Sequence, residues 1–454
     1  MKTSKQIGKW LVMGVVVLAS GTTAQAAYRT WTGTGGDNLW SNGANWDTGA
    51  WDNVDAARFG NINPGGSVAV NHDSAIASGT VYNIEFQAGS TAYNLGGSPI
   101  TVSADTIVTN NSSVKQTISA DFYSMYGSGG HTVNGGVAGL EFTGKFVNTS
   151  TNNWAYSFNS GTTFISQFYI ANDDSGNGGT HNSGYQVGLT GNGTVVFNEI
   201  YDSTDSENTR AFGLGLYYGQ KMILTGTSYT KGNIDIRYNS MIILQDNADL
   251  NAAANLSTET YQSVLINNSS VRLDKLTWKN GTLGGTGSIL ATKGALAAAS
   301  GTYYIAPGDI NSVGQLSFTG GDLVWNNGDS TVTYDWNFSD LAAAAGVGYD
   351  QVFADGSFDL GTGTQYVLNL IGLNGASLDD FADAAPGASW DIISVGSGIT
   401  NFELDNWTAT LPDDVVLTLS ADHTKLQLML IPEPSTWALL GAGVALLAFL
   451  RRRR

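Results

Sequence analysis

The sequence predicts an all-β chain wound as a parallel β-helix, a solenoid, between two terminal targeting segments. Three observations carry this. Residues 28–430 hold no long helical run, since the Ala-rich pieces 295–300 and 341–345 are short and bounded by glycines. Short β-branched or aromatic runs alternate instead with Gly, Asn, Asp and Ser clusters, the pattern of strands and turns. Partial repeats recur at irregular spacing: Asn110-Asn-Ser-Ser-Val114 returns as Asn267-Asn-Ser-Ser-Val271, and Leu-Thr-Gly openings stand at Leu189 and Leu224. A strict propeller or calcium-binding nonapeptide array needs regular spacing. A β-helix tolerates variation, because each coil needs only inward apolar residues and turnable corners, and stacked coils satisfy one another's backbone groups at about 4.8 Å. Roughly fifteen such coils would make a rod of about 70 Å.

Composition agrees and excludes much else. The chain has 454 residues, 58 of them Gly and 7 Pro, with no Cys and only 13% charged residues. Glycine is about twice its usual share and charge about half. Twelve Trp, nineteen Tyr and seventeen Phe argue against disorder. The missing cysteines remove disulfides, thiolate zinc sites and cysteine nucleophiles. Formal charge is −18, and seven of the twenty cations lie at the two ends, so the remaining 13 face 38 anions. Residues 294–424 carry seventeen Asp or Glu and no Lys or Arg. Such a surface repels phosphate backbones, which excludes nucleic acid as a partner.

Residues 1–26 read as a secretory signal peptide. Lys2, Lys5 and Lys9 form the basic region, Trp10 to Ala19 the apolar one, and Ala24-Gln25-Ala26 the small-x-small cleavage site for signal peptidase. Residues 27–60 come next as a Trp-rich cap. Trp31, Trp40, Trp46 and Trp51 sit within 21 residues; exposed, they would stack on sugar rings, but a buried cap protecting the first sheet edge is the better expectation. Residues 61–330 form the solenoid body and 331–430 a closing β segment.

Residues 431–454 are a second address. Pro432-Glu433-Pro434 leads into an apolar stretch ending at Leu450, with Arg451, Arg452, Arg453 and Arg454 last. Residues 435–450 would reach about 24 Å as a helix, slightly short of a ~30 Å hydrocarbon core, and arginines can snorkel to cover part of the deficit. A transmembrane helix with the arginine cluster held cytoplasmic is expected, with the body on the outer side.

The triplet, span and arginine run together resemble the PEP-CTERM sorting signal of Gram-negative bacteria. That resemblance implies recognition by an exosortase, a membrane transpeptidase-like enzyme, with cleavage near Glu433. The expected course is export, a transient inner-membrane anchor, and then the cell surface or extracellular matrix. The block from Tyr28 to Asp47 resembles the opening of exported proteins bearing autotransporter-associated β-strand repeats. Gly281-Thr-Leu-Gly-Gly-Thr-Gly-Ser288, Ala306-Pro-Gly-Asp309 and Gly314-Gln-Leu-Ser-Phe-Thr-Gly320 resemble the closing repeat of that type. This second resemblance implies a right-handed β-helix with caps, ending in an antiparallel β segment near 330–430.

Candidate chemistry is sparse. His72, His131, His181 and His423 lie far apart with no paired metal or base motif, so scattered surface histidines are expected. No nucleophile elbow or phosphate-binding loop stands in the required strand–turn–helix setting. Asp173, Ser175 and Asn177 have the spacing of a calcium loop, but position twelve is Gly184 where a bidentate Glu is needed. Asp173 and Asn177 are therefore weak calcium candidates, and neither metal nor cofactor is expected. The favoured function is a non-catalytic exported surface or matrix protein contacting exopolysaccharide or surfaces. The alternatives are a polysaccharide-active lyase or hydrolase, which needs carboxylates and a base converging across a groove, and a lectin-like or ice-binding module. Ice binding would want regular Thr-x-Thr ranks at one coil period, and the sequence shows none.

Overall fold

A computed structural model describes residues 26–51, 55–75, 80–124, 130–148, 154–170, 186–201, 213–230, 233–245, 248–260, 263–278, 281–291, 295–297, 302–308, 311–325, 330–431 and 451. Within them the chain is all-β, apart from three short 3-10 turns at Gly43–Asn45, Leu378–Asp383 and Leu404–Asn406 and the helical residue Arg451. No helix of the described residues is long and apolar enough to cross a membrane. The expected terminal transmembrane helix falls on 432–450, outside them, as does the signal peptide through residue 25.

Local sequence explains the strands. Lys221–Leu224 and Met241–Leu244 each bury every second side chain, the period of a strand with one face inward. Each then pairs in parallel with the strand one coil later. On one face Val195, Met222, Ile242, Leu265, Leu283 and Ile305 succeed one another in register, all buried. A strand this short cannot satisfy its own backbone or cover its apolar side; stacking supplies both at once.

Three parallel ladders result. The first face begins at Tyr28–Trp31 and reaches Gly398–Thr400 through fourteen successive parallel pairings, which link fifteen strand segments among the described residues. The second runs from Ser67–His72 to Trp407–Ala409. The third runs from Thr80–Val81 to Ser389–Val395. The pairings pass without a break through residues 90–270. At some corners the strand bends rather than stops: Thr162–Tyr169 and Thr194–Tyr201 each serve the second face and then the third.

The closing segment differs from expectation. Parallel pairing continues past residue 331, for Thr331–Phe338 pairs in parallel with Gln365–Gly372, and that strand with Trp407–Ala409. Among the described residues, antiparallel strand pairing is that of Lys425–Leu430, which lies between Ser389–Val395 and Val415–Leu419; elsewhere it is limited to the isolated bridges Trp31–Trp46 and Phe338–Tyr349. The glycine-rich turns of 330–430 suit a coil corner as well as a hairpin, and only register separates them.

The repeated Asn-Asn-Ser-Ser-Val motif makes corners. Asn110 is buried, accepts from the Ser112 N–H at 3.0 Å and donates through Nδ2 to the carbonyl of Gly139 one coil later at 2.8 Å. Asn267 repeats this, accepting from the Ser269 N–H at 3.1 Å and donating to the Ser288 carbonyl at 3.1 Å. The first turns from face one to face two, the second from face two to face three. A buried amide that satisfies one turn and the next coil's carbonyl is a local device indifferent to which corner it serves.

Candidate functional site

One concavity is an open groove of about 550 Å³ on the outer side of the first face, across the first four coils. It is lined by Tyr28, Arg58, Tyr82, Glu85, Asp105 and Asn111 among others. Parallel register places Arg58 beside Glu85, because both point outward from consecutive strands. The Arg58 guanidinium donates to Glu85 Oε2 through Nε at 3.1 Å and Nη2 at 2.9 Å. It also lies 3.8 Å from the centre of the Tyr28 ring, a cation–π contact. Asn111 Nδ2 donates to the other Glu85 oxygen at 3.4 Å. The groove thus offers tyrosine faces, a fixed cation and carboxylate oxygens. This donor set suits hydroxyl-rich ligands; its arginine is already held by a carboxylate and an aromatic ring.

None of these residues stands out in the linear sequence. They come together because one coil is about as long as the separation of Arg58 and Glu85, which is 27 residues. Lys115 and Glu141, 26 apart and 2.6 Å between charged atoms, repeat the signal. Opposite charges at one-coil spacing are the trace that sequence reading missed.

The tryptophan block is packed inward. Trp31, Trp40 and Trp46 are buried, and Trp46 Nε1 donates to the Trp40 carbonyl at 2.8 Å. Trp40 meets Trp46, Trp51 and Phe59 at centroid distances of 5.1, 5.2 and 5.6 Å. These rings cover the start of the first coil, Trp31, Trp40 and Trp46 fully buried and Trp51 half-buried against them.

The histidines correct the expectation of surface positions. His72 and His131 are buried, with Nδ1 3.1 Å from the carbonyls of Ser98 and Ala104 respectively. Burial pushes the His72 imidazole below its usual value. Both occupy inward strand positions, where an imidazole can meet a backbone carbonyl of the neighbouring coil. His423 is exposed in a turn, and His181 lies outside the described residues. No cluster of three or more His, Asp or Glu suited to a metal occurs among the described residues. Asp173 and Asn177 lie outside them, as do Ala24, Pro432, Glu433, Pro434, Arg452, Arg453 and Arg454; Ala26 is half-buried and Arg451 exposed.

One buried acid stands apart from the groove. Asp350 is fully buried, and its carboxylate accepts from the Gly314 N–H at 2.8 Å and from both N–H groups of Asn337. Burial pushes this carboxyl up to about 8, against the pull of those donors. Its donors come from Asn337 across its own loop and from Gly314 of the preceding coil, so it holds a corner.

The last strand, Lys425–Leu430, closes the stack. From its final residue onward, residues 430–454 match the PEP-CTERM protein-sorting motif. The PEP-CTERM segment implies export through exosortase-type sorting to the cell envelope or surface of a Gram-negative bacterium. No curated protein and no solved structure matches the chain.

Proposed function

We propose that this chain is a non-catalytic cell-surface or extracellular-matrix protein whose solenoid acts as a stiff spacer and whose outer faces contact exopolysaccharide. The observation that carries the reading is the PEP-CTERM motif set directly after the last strand, Lys425–Leu430. Signal peptidase would act at Ala26 and an exosortase near Glu433, releasing the stacked coils from a transient anchor of residues 435–450. The winding is taken as right-handed, the hand that parallel crossovers adopt in nearly all cases. The likeness of the Tyr28–Asp47 block to autotransporter-associated repeat proteins supports the same location.

A binding role suits the first-face groove better than turnover, since Arg58 is fixed by Glu85 and Tyr28 and is a poor base. Intact-mass measurement of the protein from its native host tests the sorting step. The expected mature form ends near Glu433; a protein that keeps Arg451 to Arg454 in every compartment overturns it. A glycan-release screen tests the non-catalytic reading, and turnover of any polysaccharide would replace it.

A further inference from the structure

Two consecutive coils turn from the first face to the second through tyrosines held in a conformation that tyrosine disfavours. Tyr218 and Gly219 have φ of 58° and 83°, and Tyr238 and Asn239 have 53° and 62°. The Gln220 N–H donates to the Tyr217 carbonyl at 3.3 Å and the Ser240 N–H to the Arg237 carbonyl at 3.2 Å, closing a tight turn in each coil. Two successive left-handed residues make this the type I′ pattern, whose central positions favour Asn, Asp and Gly. A tyrosine there is strained, and strain of this kind concentrates where a ligand is held.

The strained residues are also exposed. Tyr218 is 72% exposed and Tyr238 38%. Their rings lie parallel within 5°, with centroids 5.2 Å apart, matching the rise from one coil to the next. Register gives Tyr218 an open side. Four residues separate Leu189 from Thr194, Leu216 from Lys221 and Ile236 from Met241, and these ends pair coil to coil. Gly191, Tyr218 and Tyr238 therefore hold the same corner position in three successive coils. Gly191 brings no ring to this corner, the Phe158 carbonyl and Asn159 filling the place a Cβ would take, so the shelf beside the Tyr218 ring is backbone, with exposed Asn192 next to it. Tyr217 completes the patch. It lies against Gly215, where an added Cβ would come within 2.5 Å of the Tyr217 hydroxyl, and the Arg237 guanidinium sits 5.9 Å from its ring. Asp235 holds that guanidinium at 3.1 Å.

We propose that Tyr218 and Tyr238, over the Gly191 shelf, form a stacking site for the pyranose rings of a neutral polysaccharide. The proposal rests on the reading of this protein as exported and saccharide-contacting, and gives that contact a location and a ligand class. A pyranose presents a flat face of C–H bonds to an aromatic ring and its hydroxyls to polar neighbours, here Asn192 and the Arg237–Asp235 pair. An uncharged chain fits because the body bears a large excess of acids, which repels anionic polysaccharide. With Tyr238 stacked behind it, Tyr218 offers its other face to one sugar, and the chain continues from there over Gly191 and Asn192.

The test is retardation of the protein, purified from its native host, in native gels containing a neutral glucan, galactan or mannan, with alginate as the anionic comparison. Retardation is expected in at least one neutral polymer and not in alginate. Tyr218→Asn and Tyr238→Asn together should weaken it tenfold or more, with a melting temperature at or above that of the parent because Asn accepts the turn. Tyr218→Phe, which keeps the ring, should retain most of the binding. Retardation in no neutral polymer, or equal retardation of the double Asn variant, overturns the tyrosine site. Intact mass is measured on the same samples. A chain trimmed near Glu433 that binds nothing removes this site and leaves the sorting reading standing, whereas an untrimmed chain removes the sorting reading whatever the gels show.

Discussion

Asp350 and Asn337 form a closed pair: one carboxylate oxygen of Asp350 accepts from the Asn337 backbone N–H at 2.9 Å and from its side-chain Nδ2 at 2.8 Å. The Trp336 indole donates to the Asp350 carbonyl at 2.7 Å, so three consecutive groups converge on one buried corner. Inside a rod of stacked strands, a corner without water must satisfy its own polar atoms.

This pair makes stability depend on pH. Burial holds the Asp350 carboxyl up to about 8, above the ~3.9 of an unfolded chain. The folded state therefore binds the proton more tightly than the unfolded one. That contribution is complete below about pH 4 and is lost as pH rises through about 8. Thermal unfolding measured from pH 5 to 9 should show a falling melting temperature, and Asp350→Asn should flatten the slope. A parental slope unchanged by Asp350→Asn would remove Asp350 as its source.

The end cap predicts a different failure. Trp40 is fully buried among Trp46, Trp51 and Phe59. Trp40→Ala should cost about 3–5 kcal/mol, the range for a large buried aromatic. It also uncovers the first coil, whose strand edge can then pair with another chain. Denaturant unfolding should give the stability loss, and size-exclusion chromatography should show association that the parent lacks. A variant that stays monomeric would mean the cap contributes packing without protecting the edge.

Asn110→Ala and Asn267→Ala should each destabilise by about 1–3 kcal/mol through the freed turn N–H and the lost donation to the carbonyl of the next coil. Hydrogen exchange should localise each effect, to Ser112 and Gly139 in one case and to Ser269 and Ser288 in the other. These two residues also mark how far the sequence can be read. The repeat itself, the short strands and the stacked architecture are all visible in it, because each depends on neighbours along the chain. Which corner each Asn turns is not visible, since that depends on coil length, which varies from one coil to the next. For the same reason Arg58 and Glu85, and the aligned Gly191, Tyr218 and Tyr238, carry no local mark: they meet only after register is set. His72 and His131 look like surface residues in the sequence yet lie inside, because polar side chains within a coil can be satisfied by carbonyls of the adjoining one.

Corner glycines should divide into two classes by what a side chain would strike. Gly89 and Gly161 both have positive φ, 73° and 63°. At Gly89 an added Cβ meets nothing within 4 Å, whereas at Gly161 it would lie 1.7 Å from the Gly136 carbonyl oxygen of the preceding coil. Gly89→Ala therefore carries only the left-handed penalty, about 1–2 kcal/mol. Gly161→Ala carries that penalty and also forces two coils apart, which interrupts the parallel pairing of Thr162–Tyr169 with Leu140–Asn148. Denaturant midpoints should separate the two variants clearly, with Gly161→Ala the lower by several kcal/mol in unfolding free energy. Equal losses would mean that the corners yield to the added methyl group, and that coil spacing at this corner is set by the strands alone.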